Sequence, residues 1–331
     1  MKFSYKNVDQ HVAEKLYNFF PVQNCFIEVN PGKVILPRKY IDIGQSILDL
    51  PIHSDDVWLI SYPRTGSTWA QEMIWLLGNG LDFEGAKQIQ QIRSPLLELT
   101  AIFGEDHHEW VASSIGNTVE CVKNMPRPRF ARSHLPSQLL PVQLKEIKPK
   151  IVYTARNPKD LCVSFYHYCK LVHGLYAPFE DFCELFIDET SPIGSYWSHI
   201  LPFWEKRYDK NILFLKYEDM KRNLPEIIHE CAKFLEIDYK LSNSDMERMC
   251  EHLKFDKMQS NPAVNLDPII NNPIIQNGIE CSDNGNCEQI KFIRKGQIGD
   301  WKNYIKGDLL ERFDEWIEKN TKGTDLIFDY E

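Results

Sequence analysis

The stretch that most constrains this chain runs from Trp58 to Gly78, WLISYPRTGSTWAQEMIWLLG. An apolar run passes through a turn of small, hydroxylated residues directly into an amphipathic segment. The run predicts a buried strand, and Trp69, Met73, Leu76 and Leu77 predict one face of a helix. The pattern recurs at KIVYTA, residues 150–155, which leads into a segment with Leu161, Phe165, Tyr168 and Val172 at helical spacing. A third run, NILFLKY at 211–217, precedes a segment that opens acidic and carries an apolar stripe. Strands alternating with helices imply crossover connections, hence a central parallel β-sheet flanked by helices in an α/β fold. Such sheets collect ligands at the carboxyl ends of their strands. With no internal repeat or linker, residues 1–331 read as one domain, with 1–55 as an N-terminal segment packing on it. Residues 259–290, dense in Asn, Pro and Gly, read as a long loop or lid.

Composition narrows the partners. A net charge of -9 argues against a general nucleic-acid binder, so an anionic ligand must be met by a local basic cluster. Nine cysteines without a Cys-x-x-Cys pair suit reduced thiols. Cys281 and Cys287, in CSDNGNC, lack the neighbours a metal centre needs, and no metal is expected. The N-terminus has no apolar core of signal-peptide length and no segment approaches a membrane span, so a cytoplasmic protein without a membrane partner is expected.

Three segments carry anion chemistry. In YPRTGSTW, Gly66 permits a sharp turn that aims the N–H groups of Thr65 to Thr68 at one anion, with the Ser67 and Thr68 hydroxyls and the Arg64 charge beside it. The plainer reading is a turn with a hydroxyl cap. In TARNPKDLCVSFYHY, Arg156 lies just past a strand and Ser164 within the following helix, able to meet one phosphate; the alternative is a surface pair of Arg156 with Asp160. In RKGQIGDWKNY, Arg294 and Lys295 adjoin Gly296, where backbone can approach a phosphate closely; the alternative is a solvated charge run. Together the three imply a ligand with more than one phosphate group.

In this order the three motifs resemble the cytosolic sulfotransferases, over about Val57 to Phe313, and the insect branch of the family most of all. The resemblance implies a P-loop-like architecture shared with nucleotide kinases, and the sulfuryl donor PAPS (3′-phosphoadenosine 5′-phosphosulfate), which leaves PAP. It implies that Thr65, Gly66, Ser67 and Thr68 receive the 5′ phosphosulfate and that Arg156, Ser164, Arg294, Lys295 and Gly296 receive the 3′-phosphate. By the same matching Trp69 and Phe255 sandwich the adenine and Tyr217 bonds its edge. His134, in RFARSHLP, matches the family's general base, and imidazole is chemically suited to take a hydroxyl proton. Arg64, Arg132 and Ser164 join it at the transferring group. His107 and His108 are adjacent and read as loop residues.

The chain departs from the pattern in places. Arginine stands at 64 and 132 where most relatives have lysine; its high pKa suits it to stabilise leaving-group charge and not to donate a proton. Leu253 replaces a threonine, leaving packing alone to recognise the base there. Lys306-Gly307 interrupts a segment through which many relatives dimerise, so a monomer or weak homodimer is expected. Leu96, Leu99, Phe103, Trp110, Tyr166 and Tyr168 are the expected apolar lining for a flat hydrophobic alcohol or phenol, with ordinary core as the alternative. Three other outcomes compete with sulfation: dehydration of an allylic alcohol through its sulfate, nucleotide kinase activity, and inactive PAP binding. The kinase needs a lysine after the loop glycine, where this chain has Ser67.

Overall fold

The computed structural model describes residues 3–20, 26–102, 116–267, 279–281, 287–289 and 291–331. Phe103, Trp110, His107 and His108 lie outside the described residues. Among the described residues the strands, in chain order, are β1 (Ser4–Lys6), β2 (Phe26–Asn30), β3 (Val34–Pro37), β4 (Val57–Ser61), β5 (Phe130–Ser133), β6 (Lys150–Ala155), β7 (Ile212–Lys216), β8 (Ile279–Cys281) and β9 (Cys287–Gln289). The central sheet has the order β5-β4-β6-β7 and is parallel throughout. Its edge strand β5 sits inside RFARSHLP, whose alternation of Phe130 and Arg132 with Ala131 and Ser133 is too short to announce a strand. The last central strand ends at Lys216, and Tyr217 opens the next helix.

Pleating divides the core in two. Val57, Leu59, Phe130, Val152 and Leu213 face one side, where they pack with Met73, Leu76 and Leu77 of the Ser67–Gly78 helix and with Ile228. Trp58, Ile60, Ala131, Ile151 and Tyr153 face the other, against Phe165, Tyr196 and Ile200. Neighbouring residues on each strand thus enter opposite cores, as period-two geometry requires of a sheet covered on both faces. Trp69 departs from the expected buried stripe: only half-buried, it turns toward the cavity described below.

The N-terminal segment forms its own antiparallel sheet, β1-β2-β3. Phe3, Leu16, Phe20, Ile27 and Leu36 join the same apolar cluster as Trp58 and Phe165, so this sheet is packed onto the body. At the amino end of β4 and β5, Arg129 and Asp56 form a bidentate pair, both nearly inaccessible, with further Arg129 bonds to the Pro51 and Val122 carbonyls. This closes the end of the sheet remote from the site. The stretch expected as a loop begins inside the Phe255–Ser260 helix, and its far part carries the β8–β9 hairpin in the register Ile279↔Gln289. Among the described residues no helix is long and apolar enough to cross a membrane, and no cluster of metal-ligating side chains occurs.

Candidate active site

Parallel strands put their following turns at one end of the sheet, and the turns after β4, β5, β6 and β7 meet there around a single cavity. It encloses about 1200 Å³ counting its open mouth. The turn after β4 runs through two left-handed residues, Arg64 at φ 71° and Gly66 at φ 87°. Gly66 caps the Ser67–Gly78 helix without any side-chain bond to the first turn, so its N–H groups remain available. A Cβ on Gly66 would stand 2.7 Å from the Tyr217 ring, so the turn demands glycine for both conformation and space. Thr65 is fully buried, and its hydroxyl braces the loop, within 3.0 Å of both the Tyr62 carbonyl and the Thr154 hydroxyl.

The two other basic segments arrive from far along the chain. Arg156 donates to the Gln297 carbonyl at 2.8 Å and lies over the Tyr217 ring. The pair with Asp160 does not form: that buried carboxylate accepts the backbone N–H groups of Gly299 and Trp301, at 2.8 and 2.9 Å, stitching the helix Pro158–His173 to the segment after Gly296. Arg294 and Lys295 both reach Asp300, at 2.6 and 2.8 Å, and hold its pKa down to about 2 against the opposing effect of its burial. Gly296 has φ 62°, and a Cβ there would fall 2.3 Å from the Phe255 ring.

Several buried donors in this region find no partner among the described residues: Nε of Arg132, Arg156 and Arg294 and Nε1 of Trp69. Unpaired buried donors cost stability unless a ligand satisfies them, and three guanidinium edges around one cavity suit an anion with two separated charged groups. Trp69 and Phe255 line the same cavity and Tyr217 stands edge-on to Trp69 at 5.9 Å, an aromatic niche able to take a planar base.

His134 follows β5. Its Nδ1 lies 2.9 Å from the Ser61 carbonyl, which can only accept, so Nδ1 carries the proton and Nε2 is the free lone pair. No partner for Nε2 occurs among the described residues, and His134 lines the cavity. Burial, followed by the positive charge of Arg132, depresses its pKa to about 3, so the imidazole is neutral at ordinary pH. Arg132 reaches Thr68 Oγ1 at 3.3 Å and Gln90 Oε1 at 3.5 Å. Arg64 donates Nε to Ser164 Oγ at 3.2 Å and Nη2 to the Phe292 carbonyl at 2.7 Å, its guanidinium flanked by the Tyr168 and Phe292 rings. Burial lowers both arginines to about 10, still fully charged near neutrality.

Beside this polar end the wall is apolar. Leu96, Leu99 and Tyr168 line it, and Leu266, Phe292 and Met258 add to it. Tyr166 does not: its hydroxyl donates to the Ala177 carbonyl and its ring packs on Phe179 and Phe182. Two helical positions from Tyr168 rotate a side chain by about 200°, which carries Tyr166 to the opposite side of the helix. Leu253 lines the cavity as a purely apolar group. Gln91, Lys221, Phe292 and Asp300 also line the cavity; Asp300 lies within RKGQIGDWKNY and Phe292 two residues before it, whereas Gln91 and Lys221 adjoin none of the three basic motifs.

A family model described as "Sulfotransferase domain" matches residues 54–325. Luciferin sulfotransferase of Photinus pyralis is 34% identical over 335 residues, covering 97% of this chain and 87% of that protein. The structure of retinol dehydratase in complex with androsterone and inactive cofactor PAP superposes with a TM-score of 0.86 at 29% identity, covering 99% of this chain and 98% of the other. A complex of retinol dehydratase with retinol and PAP gives a TM-score of 0.85 at 29% identity, with 99% of both chains covered.

Proposed function

This chain belongs to the sulfotransferase family, and from that premise we propose that it transfers the sulfuryl group of PAPS to the hydroxyl of a small hydrophobic acceptor, with His134 as general base. PAPS supplies the sulfuryl group and leaves as PAP. The solved relatives contain PAP, and the donor set here suits it. Arg156, Ser164, Arg294, Lys295 and the Gly296 N–H hold the 3′-phosphate, the loop from Thr65 to Thr68 holds the 5′ group, and Trp69, Phe255 and Tyr217 hold the base. His134 Nε2 takes the acceptor proton as the oxygen–sulfur bond forms. Arg64 and Arg132 favour the charge that grows on the departing bridge oxygen and the sulfuryl oxygens. Glycine and arginine in the phosphate loop, with Ser67 in place of lysine, weigh against a kinase.

The observation that carries this reading is His134 itself: a neutral imidazole, its Nδ1–H bonded to a carbonyl and its Nε2 without a partner among the described residues, on the wall of the cavity that the guanidinium cluster and the apolar side chains also line. The test is to incubate the protein with PAPS and a panel of phenols, steroids and retinoids, measuring PAP release and product mass. Sulfated product is expected, and His134→Ala should bind PAP normally yet lose at least about two orders of magnitude in turnover. Full activity in that variant would overturn the assignment. The near-complete superposition on retinol dehydratase favours a second reading, dehydration of an allylic alcohol through its sulfate. A dehydrated product from retinol with PAPS, without accumulated sulfate ester, would establish it.

A further inference from the structure

Glu98 and His199 are among the least accessible polar side chains of the molecule, and nothing in the chemistry above uses them. Both touch the main chain of His134, from opposite sides. The segment Pro95–Leu97 runs beside β5, with the Arg132 N–H donating to the Pro95 carbonyl and the Leu97 N–H to the Arg132 carbonyl. Where this ladder ends, the Glu98 carboxylate continues it: Oε1 accepts the His134 N–H at 2.6 Å, and Oε2 accepts the Ser133 hydroxyl at 2.9 Å. On the other side His199 Nε2 lies 3.1 Å from the His134 carbonyl and its Nδ1 2.8 Å from the Tyr153 hydroxyl. A carbonyl can only accept, so Nε2 is protonated and Nδ1 must take the Tyr153 hydroxyl proton. Burial keeps His199 neutral, in agreement with this tautomer.

We propose that Glu98 and His199 are positioning residues for sulfuryl transfer, gripping the His134 backbone by its N–H and its carbonyl so that Nε2 stays aimed at the acceptor hydroxyl. This rests on His134 being the base. The ring is tied by Nδ1 to Ser61, on the neighbouring strand, while the two buried side chains set the backbone from which it projects. A backbone released on either side swings the ring, and misplacement of a reacting group by about 1 Å is enough to cost up to about a hundredfold in rate. Tyr153 serves the arrangement at one remove by fixing the His199 tautomer.

The test uses the full chain with four variants: Glu98→Ala, Glu98→Gln, Tyr153→Phe and His134→Ala. Turnover is measured with PAPS and a phenol, PAP affinity by calorimetry, and folding by thermal melting. Glu98→Ala should lower kcat by about ten- to a hundredfold while the acceptor KM and PAP affinity stay within about twofold. Glu98→Gln should recover most of the loss, because its amide oxygen still accepts the His134 N–H. Tyr153→Phe, which removes one oxygen and little volume, should lower kcat severalfold with PAP affinity intact. Wild-type kcat in Glu98→Ala or in Tyr153→Phe overturns the proposal, as does a parallel loss of kcat and PAP affinity, which marks a merely structural role. Should Glu98→Ala not fold, Tyr153→Phe decides alone. Full turnover in His134→Ala brings down the base assignment itself, whereas an inactive His134→Ala beside an unimpaired Glu98→Ala removes only the grip.

Discussion

Arg64 shows how much one side chain gains from its surroundings. Its guanidinium keeps two anchors, the Ser164 hydroxyl through Nε and the Phe292 carbonyl through Nη2, and Nη1 has no hydrogen-bond partner among the described residues. Lysine can bring the same charge to this point but cannot hold both anchors and the leaving oxygen in a fixed plane. Arg64→Ala should therefore lower kcat by about a hundredfold or more, within the range for loss of one transition-state donor. Arg64→Lys should keep a large share. Steady-state rates for the two variants check this, and an equal collapse of both would mean that geometry counts here and not charge. Residue identity also explains Leu253, which lines the cavity without any polar atom and leaves that contact to packing.

At the level of elements, the site depends on turns that glycine alone permits and on segments stitched across the chain. Gly296 is held at positive φ with the Phe255 ring where a methyl would have to go. Gly296→Ala should displace that ring or the loop, weakening PAP binding by about tenfold or more while leaving the melting temperature within a few degrees, since the strain of a left-handed alanine is about 1–2 kcal/mol. Calorimetry of PAP against the variant measures it, and unchanged affinity would show that the loop does not approach the phosphate. Asp160 performs the stitching, receiving the Gly299 and Trp301 N–H groups from a segment about 140 residues away along the chain. The strand–turn–helix unit around β4 was legible in advance because its signals are local. The edge strand β5 and the N-terminal sheet were not, since the sequence around them carries no signal as strong as the β4 run and the partners they pair with fix them as strands.

Taken as a whole molecule, the protein buries ionisable groups around its candidate active site, and this links both rate and stability to pH. His134 and His199 have pKa values depressed to about 3 and about 4 from 6.5, each mainly by burial. Unfolded imidazoles take up protons that the folded ones refuse. The stability these two groups contribute is therefore complete above about pH 6.5 and is lost as pH falls toward 4. Glu98 has the opposite sign: burial raises it from 4.5 to about 7, so its contribution is present below about pH 4.5 and is lost as pH rises through 7. The melting temperature should fall below about pH 6.5, and less steeply in His134→Asn, which has no proton to take up. The turnover profile should show no His134 titration near neutrality, and an inflection in that range that vanishes in Glu98→Gln belongs to Glu98. An inflection near neutrality that persists in Glu98→Gln would mean the imidazole is solvated.

The amino-acid sequence by itself determined what depends on near neighbours. The Trp58–Gly78 unit, the glycines at 66 and 296, the order of the three basic motifs and the family follow from short spacings and backbone preferences that act over a few residues. Tertiary structure decided what depends on which segments pack together. It faced Tyr168 to the cavity and Tyr166 to the core, and it took Asp160 from Arg156 and gave it to Gly299 and Trp301. It also brought Glu98 and His199 to the two sides of His134. Desolvation and hydrogen bonds between distant segments set the protonation state and aim of that imidazole. Neither exists until the chain has closed around it.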